Sequence, residues 1–96
     1  MMVGTLKMNI LLRQAQSLKD KRSVVRSLKE QVRNKFGVSV AEVEAQDLIQ
    51  RAVIGVAVVG NERRMLESVI TNIMNFTRFF RDCELVDVKH EIFSEE

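Results

Sequence analysis

The chain has 96 residues, of which 46% are apolar and 29% charged, and its formal net charge is +2. This length suits one hydrophobic core, so we expect a single domain over residues 1–96. No apolar run is long enough for a transmembrane helix, residues 1–12 lack the pattern of a signal peptide, and the lone Cys83 excludes an internal disulfide framework, so we expect a cytoplasmic protein without a membrane partner.

The first predicted elements are a strand and a helix. Apolar and polar residues alternate over residues 5–13, which predicts a half-buried strand. Ser17 and Asp20 have the spacing of a capping box, in which the hydroxyl accepts a hydrogen bond from an early helical N–H. The helix is predicted to end near Phe36, because Gly37 suits a left-handed C-cap. Its buried residues are predicted at spacings of three and four: Leu18, Val24, Val25, Leu28, Val32 and Phe36.

Two further strands are predicted in the middle of the chain. Residues 38–44 alternate and are rich in β-branched side chains, which predicts a second strand. Residues 45–51 form a turn or loop. The continuous apolar run over residues 52–59 is typical of a central strand that is covered on at least one face.

A second helix and a last strand complete the prediction. Asn61 is expected to cap a helix over about residues 62–81, and the last strand is predicted over residues 84–93. The alternation in that strand places four residues on one face: Val86, Val88, His90 and Ile92.

The predicted order of elements is β-α-β-β-α-β. Two right-handed βαβ units in this order give an α+β, ferredoxin-like sandwich, with two helices on one face of one antiparallel sheet. The usual strand order of that fold, 4-1-3-2, places the strands at 5–13 and 52–59 in the centre. These are the two most apolar strands, as a central position requires.

Basic residues are concentrated in the first helix. Five of them recur at spacings of 3, 4, 3 and 4, within a helix sector of roughly 80° that lies beside the apolar face. We call this set the basic stripe: Lys19, Arg22, Arg26, Lys29 and Arg33. Lys21 and Lys35 are expected to flank it. Two interpretations stay open, a solvated helix face or a surface that contacts nucleic-acid phosphates.

The charge is also uneven over the whole chain. Residues 1–37 contain nine Lys or Arg and two acids, a net +7, whereas residues 38–96 contain six and eleven, a net −5. This asymmetry indicates a polar partner or head-to-tail self-association.

The sheet is not expected to bind RNA by stacking. RNA-recognition motifs share this topology and present aromatic rings on the two central strands. Here the expected open-face residues are Lys7, Asn9, Gly55 and Ala57, none of which is aromatic. Small apolar residues suit a flat contact with another protein or a second copy.

Residues 76–81, "FTRFFR", are the most aromatic segment. Phe76 and Phe80 follow the buried face of the second helix and are predicted to be core residues. Phe79 lies off that face, and we expect it to pack against the last strand rather than form an exposed contact. Interleaved Phe and Arg can bind single strands, which is the alternative.

No motif indicates catalysis, and we expect no enzymatic activity, no cofactor and no metal. His90, the only histidine, is expected to be partly buried and structural, and Cys83 inert. Glu42 and Glu44 are expected on one strand face, where they could act as an acid and a base only within a cleft. The single Gly60 before the second helix is too little for a phosphate-binding loop.

Three segments carry a resemblance to a known family. They are "SLKDKRSVV" (17–25), "VSVAEVEAQDL" (38–48) and "IGVAVVGN" (54–61). With the overall length, they resemble the YlxP-like family of small bacterial proteins of unknown function with a ferredoxin-like fold. Asp20 stands where Glu is common in that family, a change that keeps the capping role. The resemblance implies genes beside transcription-elongation and translation-initiation factors, and it implies no catalytic residue.

The leading hypothesis is therefore a non-enzymatic domain that associates with RNA or a ribosome. Its proposed nucleic-acid-binding residues are Lys19, Lys21, Arg22, Arg26, Lys29, Arg33 and Lys35. The alternative is a protein-interaction or homodimerisation module that uses the open sheet face. No small-molecule substrate is indicated.

Overall fold

The computed structural model describes residues 1–96. Its elements are β1 (Met2–Leu11), α1 (Leu18–Phe36), β2 (Ser39–Glu44), β3 (Arg51–Gly60), α2 (Arg63–Arg78) and β4 (Glu84–Ser94). The strands form one antiparallel sheet in the order β2-β3-β1-β4. This order is the predicted 4-1-3-2 read from the other edge, so the ferredoxin-like prediction is confirmed.

The alternation in β1 determines which face of the sheet is covered. Leu6, Met8 and Ile10 are at most 2% exposed, whereas Thr5 and Lys7, which alternate with them, are exposed. A strand places successive side chains on opposite faces, so β1 has a buried face and an open face. The helices lie on the buried face, where α1 packs against β2 and α2 packs against β1, β3 and β4.

Helix α1 begins and ends where its sequence predicts. Ser17 is extended, with φ −153°, and its Oγ accepts a hydrogen bond from the Asp20 N–H at 3.1 Å. Asp20 Oδ2 in turn accepts one from the Gln16 N–H at 3.0 Å, one residue earlier than in a standard capping box. At the other end Gly37 has φ 63°, and its N–H donates to the Arg33 carbonyl at 2.9 Å. These caps fix the length of α1 and therefore the extent of its surface.

A register shift in β2 changes which face its side chains occupy. Glu42 pairs with Ile54 and Glu44 pairs with Val53, so Val43 forms a β-bulge between them. Since an extra residue reverses the side-chain alternation, Glu42 lies on the helix side of the sheet and Glu44 on the open face. The expectation that Glu42 and Glu44 share one strand face is wrong.

A second register shift affects β4. Asn9 pairs with Asp87 but Ile10 pairs with Leu85, so one extra residue lies in β4 between the two pairs. Leu85 therefore packs against the core, while Val86 is 49% exposed. The predicted face of β4 is correct for Val88 and Ile92 and wrong for Val86, because the alternation restarts at the bulge.

Helix α2 is shorter than predicted and begins differently. Its N-cap is Glu62 rather than Asn61, and no side chain caps the helix there. It ends at Arg78, after which Asp82, with φ 64°, turns the chain into β4. Neither α1 nor α2 is long and apolar enough to cross a membrane.

Candidate nucleic-acid interface

The buried face of α1 determines where the basic stripe points. Val25, Leu28 and Val32 are at most 4% exposed and pack into the core. Residues on an α-helix follow one another by about 100°, so the stripe lies roughly a quarter of a turn from this packed face and about half a turn from Lys35, which lies beside Phe76 of α2. The stripe is therefore on the flank of α1 nearest the β2 edge of the sheet.

The side chains of the stripe are accessible and unpaired by acids. Lys19, Arg22 and Arg26 are exposed, and none of them makes a hydrogen bond or salt bridge to another side chain. The three salt bridges of the protein all lie elsewhere. From Lys19 to Arg33 the stripe covers about 21 Å of helix, at about 1.5 Å per residue.

The C-terminal part of the stripe also contacts the protein itself. Lys29 is half-buried, and an Arg33 guanidinium nitrogen donates to the Val40 carbonyl at 3.4 Å. Strand β2 is at the edge of the sheet, so this bond covers one of its backbone groups. Arg33 thus has a structural contact that Lys19, Arg22 and Arg26 do not have.

Lys21 does not belong to the interface. It is 1% exposed, and its Nζ donates to the Ala45 carbonyl at 2.7 Å and to the Gln46 carbonyl at 3.3 Å. The same ammonium lies 2.8 Å from Glu42 Oε2, a buried oxygen that has no hydrogen-bond partner, so the contact between the two is an ion pair. Lys21 therefore cannot reach phosphate. The sequence contains a signal for this, because Lys21 precedes the buried Val25 by four positions and so shares its helix face.

Lys35 lies on a different surface from the stripe. It follows Arg26 by nine positions, about 180° around the helix. Its Nζ is 5.8 Å from the centre of the Phe76 ring on α2. The structure therefore separates Lys35 from the five stripe residues and places it beside the aromatic residues of α2.

The open sheet face has the composition predicted for it. Lys7, Ala57 and the half-buried Asn9 and Gly55 lie on this face, and no aromatic side chain lies on β1 or β3. Lys7 Nζ contacts Glu44 Oε2 at 2.7 Å, and this hydrogen bond and the charge of Lys7 lower the pKa of the Glu44 carboxyl. An Arg51 guanidinium nitrogen donates to Asn9 Oδ1 at 2.8 Å. The two central strands thus lack the rings that an RNA-recognition motif uses.

The remaining candidates for chemistry are dispersed. His90 is exposed, so the expectation of a partly buried histidine is wrong. Cys83 is half-buried, and burial raises its pKa to about 11, which disfavours the reactive thiolate. Glu42 and Glu44 lie on opposite faces of the sheet and cannot act as a pair. No group of three His, Cys, Asp or Glu side chains could hold a metal ion.

Phe79 is the functional candidate that sequence reasoning placed wrongly. It is 85% exposed rather than packed against the last strand. It is the C-cap of α2 and follows the buried Thr77 by two positions, so continuing the helical advance of about 100° per residue places it about 200° from the core. The spacing from Thr77 is the feature of the sequence that indicates an exposed Phe79.

Comparison with known proteins identifies relatives of the chain. The model of a family described as "Protein of unknown function (DUF503)" matches residues 3–90. The chain is also similar to "Uncharacterized protein YlxP" of Bacillus subtilis (strain 168), with 33% identity over 92 residues, which cover 96% of this chain and 100% of that protein.

Proposed function

The chain belongs to the DUF503 family of proteins of unknown function, and from this premise we propose that it is a non-enzymatic protein that binds RNA, free or within a ribosome, through the basic stripe. The three cations Lys19, Arg22 and Arg26 form the centre of the contact. Arg33 and Lys29 extend it toward the C-terminal end of α1.

One observation carries this proposal: the stripe residues are close to one another and have no acid partner. Like charges at i,i+4 on a helix destabilise it by a few tenths of a kcal/mol per pair. Solvated helix faces commonly reduce this repulsion by interleaving Glu or Asp. Helix α1 has only Asp20, which caps its N-terminus, and Glu30.

The stripe also has a length that suits the phosphates of a nucleic-acid strand. Its length of about 21 Å is several times the spacing of successive phosphates along one strand, about 3.4 Å in a duplex. Binding there would release condensed counterions, so the affinity would depend strongly on salt.

The test is a paired comparison of charge reversals. One variant carries Arg22→Glu and Arg26→Glu in the stripe; the control carries Arg64→Glu and Lys89→Glu, two exposed residues on α2 and β4. Both variants have the same net charge, so a general electrostatic effect would weaken both equally. The probe is a fluorescein-labelled RNA hairpin with a single-stranded tail, and its anisotropy is measured over a range of salt concentrations.

We expect the stripe variant to bind at least about tenfold more weakly than the control variant at low salt. The slope of the logarithm of its association constant against the logarithm of salt concentration should also be shallower by about 1.4, since each of the two lost phosphate contacts on a single strand removes about 0.7. Equal affinities and equal slopes for the two variants would show that the stripe is not the site.

A second candidate function is self-association through the open sheet face. The observation that favours it is a shallow, largely apolar depression of about 450 Å³ on β1, β2 and β3, beside which Val43 is 44% exposed. Ala57→Glu would place a charge in this depression. A dimer seen by sedimentation at both low and high salt, and lost in Ala57→Glu, would favour this function over RNA binding.

A further inference from the structure

The most exposed large apolar side chain of the protein is Phe79. It is 85% exposed, compared with 62% for Met1 and 61% for Val59, the next highest. Phe79 immediately follows the last residue of α2, so the end of the helix holds its backbone. Its backbone is therefore anchored, while its ring is accessible to a ligand.

Three other aromatic rings lie beside it. The ring centres of Phe36 and Phe76 are 5.9 Å apart at an interplanar angle of 78°, and those of Phe76 and Phe80 are 5.7 Å apart at 49°. All three side chains are only partly buried, so the cluster is open toward solvent. With Phe79 they line a depression of about 630 Å³ between the C-terminal ends of α1 and α2. We call it the aromatic pocket; its volume lies within the range of about 300–1,000 Å³ that is usual for small-ligand sites.

Three carboxamides surround the rings: Gln31 from α1 and Asn72 and Asn75 from α2. Gln31 Nε2 donates to Ser27 Oγ at 3.0 Å, which leaves the Gln31 carbonyl oxygen free. Asn75 Oδ1 accepts from Arg78 at 3.2 Å, which leaves the Asn75 amino group free. Asn72 makes no side-chain hydrogen bond. The rim therefore offers donors and acceptors together, as the edge of a nucleobase requires.

The charged groups of the aromatic pocket are all cations. Lys35 and Arg81 line it, neither forms a salt bridge, and no carboxylate is among the lining residues. Lys35 Nζ already lies 5.8 Å from the centre of the Phe76 ring. A ligand with a flat apolar face, a polar edge and a negative charge matches all three features of the pocket.

We infer that the aromatic pocket binds an unpaired nucleotide of a single-stranded RNA. Its base stacks on Phe79, the carboxamides bond the edge of the base, and Lys35 and Arg81 neutralise its phosphate. The inference rests on the proposed function for the class of ligand, but it assigns a second surface, on the opposite flank of α1 from the basic stripe. An apolar peptide would leave the carboxamides and both cations unused.

The test uses Phe79 as a reporter. The chain contains no Trp, so Phe79→Trp introduces a single fluorophore at the pocket, with a ring that still stacks. The probe is a short single-stranded RNA, and the matched probe is an abasic strand with the same number of phosphates. We expect RNA to quench the fluorescence of Phe79→Trp and the abasic strand to leave it unchanged.

Affinity gives an independent measurement. Phe79→Ala should weaken binding of the single-stranded RNA by about five- to 150-fold, the loss that removal of one stacking ring from a base produces. The matched control is Phe93→Ala, which removes a ring that is 46% exposed at a distance from the pocket, and it should bind as the parent does. Because Phe79 is so exposed, its loss should not unfold the protein.

The two proposals fail in different ways. Phe79→Ala should lower affinity without changing the salt slope, whereas Arg22→Glu with Arg26→Glu should lower the slope without removing the Trp quenching. If RNA leaves the fluorescence of Phe79→Trp unaltered, or if Phe79→Ala binds RNA as tightly as Phe93→Ala does, the proposal for the pocket is wrong. Neither result contradicts RNA binding by the stripe. Loss of self-association in Phe79→Ala, with RNA binding intact, would also overturn the proposal for the pocket and identify a protein as the occupant.

Discussion

At the scale of single residues, Lys21 shows how one buried charge organises a turn. Its ammonium donates hydrogen bonds to the Ala45 and Gln46 carbonyls and forms an ion pair with Glu42 Oε2. Ala45 has φ 63°, a conformation that L-residues other than Gly, Asn and Asp rarely adopt. The helix α1 therefore holds the turn after β2 through one side chain. A motif that begins "SLKDKRS" thus contains a structural lysine between exposed basic residues.

Replacement of Lys21 should be strongly destabilising. Lys21→Met keeps the apolar stem but removes the charge, which leaves Glu42 buried without compensation. Removing one partner of a buried pair costs about 3–5 kcal/mol; we expect about 3 kcal/mol, because the Glu42 side chain keeps 17% of its exposure. Urea unfolding measures the change, with Arg22→Met as the matched control one position away.

The control should change the free energy of unfolding by no more than about 0.5 kcal/mol, as exposed substitutions usually do. If Lys21→Met and Arg22→Met unfold at the same urea concentration, the ion pair does not stabilise the turn.

At the scale of elements, the sheet combines regular strands with two bulges. In β2 the bulge directs the Val43 side chain over Gly55 of β3, where an added Cβ would lie 2.8 Å from Val43 Cγ1. Gly55 therefore leaves room for the Val43 side chain, which a Cβ at this position would crowd. At both sheet edges an arginine covers a carbonyl: Arg33 bonds Val40 on β2, and Arg63 bonds Ile92 on β4. Such contacts protect edge strands from pairing with other chains.

The contact between Gly55 and Val43 can be tested by a double-mutant cycle. Gly55→Ala should destabilise the parent by about 1–3 kcal/mol, because the extra methyl overpacks against Val43. In a Val43→Ala background the same substitution should stabilise by about 0.4–1 kcal/mol, because it restricts the unfolded chain and meets no obstacle. Urea unfolding of the four proteins gives the coupling energy. The same effect of Gly55→Ala in both backgrounds would rule out the contact as the reason for the glycine.

The elements also show what the sequence could predict. The fold follows from periodicity: α1 has apolar residues at spacings of three and four, and β1 alternates, so both faces were predicted correctly. The bulges at Val43 and before Asp87 could not be predicted, because one extra residue changes no composition and is fixed by pairing with a distant strand. Of the seven predicted interface residues, Lys21 and Lys35 lie off the stripe, because their charge alone does not determine which face of the helix they occupy.

At the scale of the whole molecule, the charge asymmetry of the sequence becomes a separation in space. Helix α1, with the basic stripe, packs against β2 at one edge of the sheet. The opposite edge is β4, and residues 84–96 contain five acids and one lysine. Three strand spacings of about 4.8 Å separate the two edges by about 14 Å. Strand β4 and the residues after it therefore form an acidic edge opposite the basic stripe, in which Glu84 is already paired with Arg13.

This separation predicts head-to-tail self-association that depends on ionic strength. The Debye length is about 30 Å at 0.01 M salt and about 8 Å at 0.15 M. At the lower salt concentration the Debye length exceeds the distance between the two edges, so the charges of both edges act on a second copy. At the higher salt concentration it is shorter than that distance, so the attraction is screened. We expect the weight-average mass from sedimentation equilibrium to rise with protein concentration at about 0.01 M salt and to return to that of the monomer, 11.0 kDa, at about 0.15 M.

The charge-reversal variants identify the surfaces that meet. Arg22→Glu with Arg26→Glu should abolish the low-salt association, because it removes the positive partner. Arg64→Glu with Lys89→Glu has the same net charge but adds a carboxylate to the β4 edge, so it should retain the association. RNA that occupies the basic stripe should compete with it, because both partners require the same cations. A mass that is independent of salt would contradict charge pairing between the two edges, and a salt-insensitive dimer would instead indicate the open sheet face.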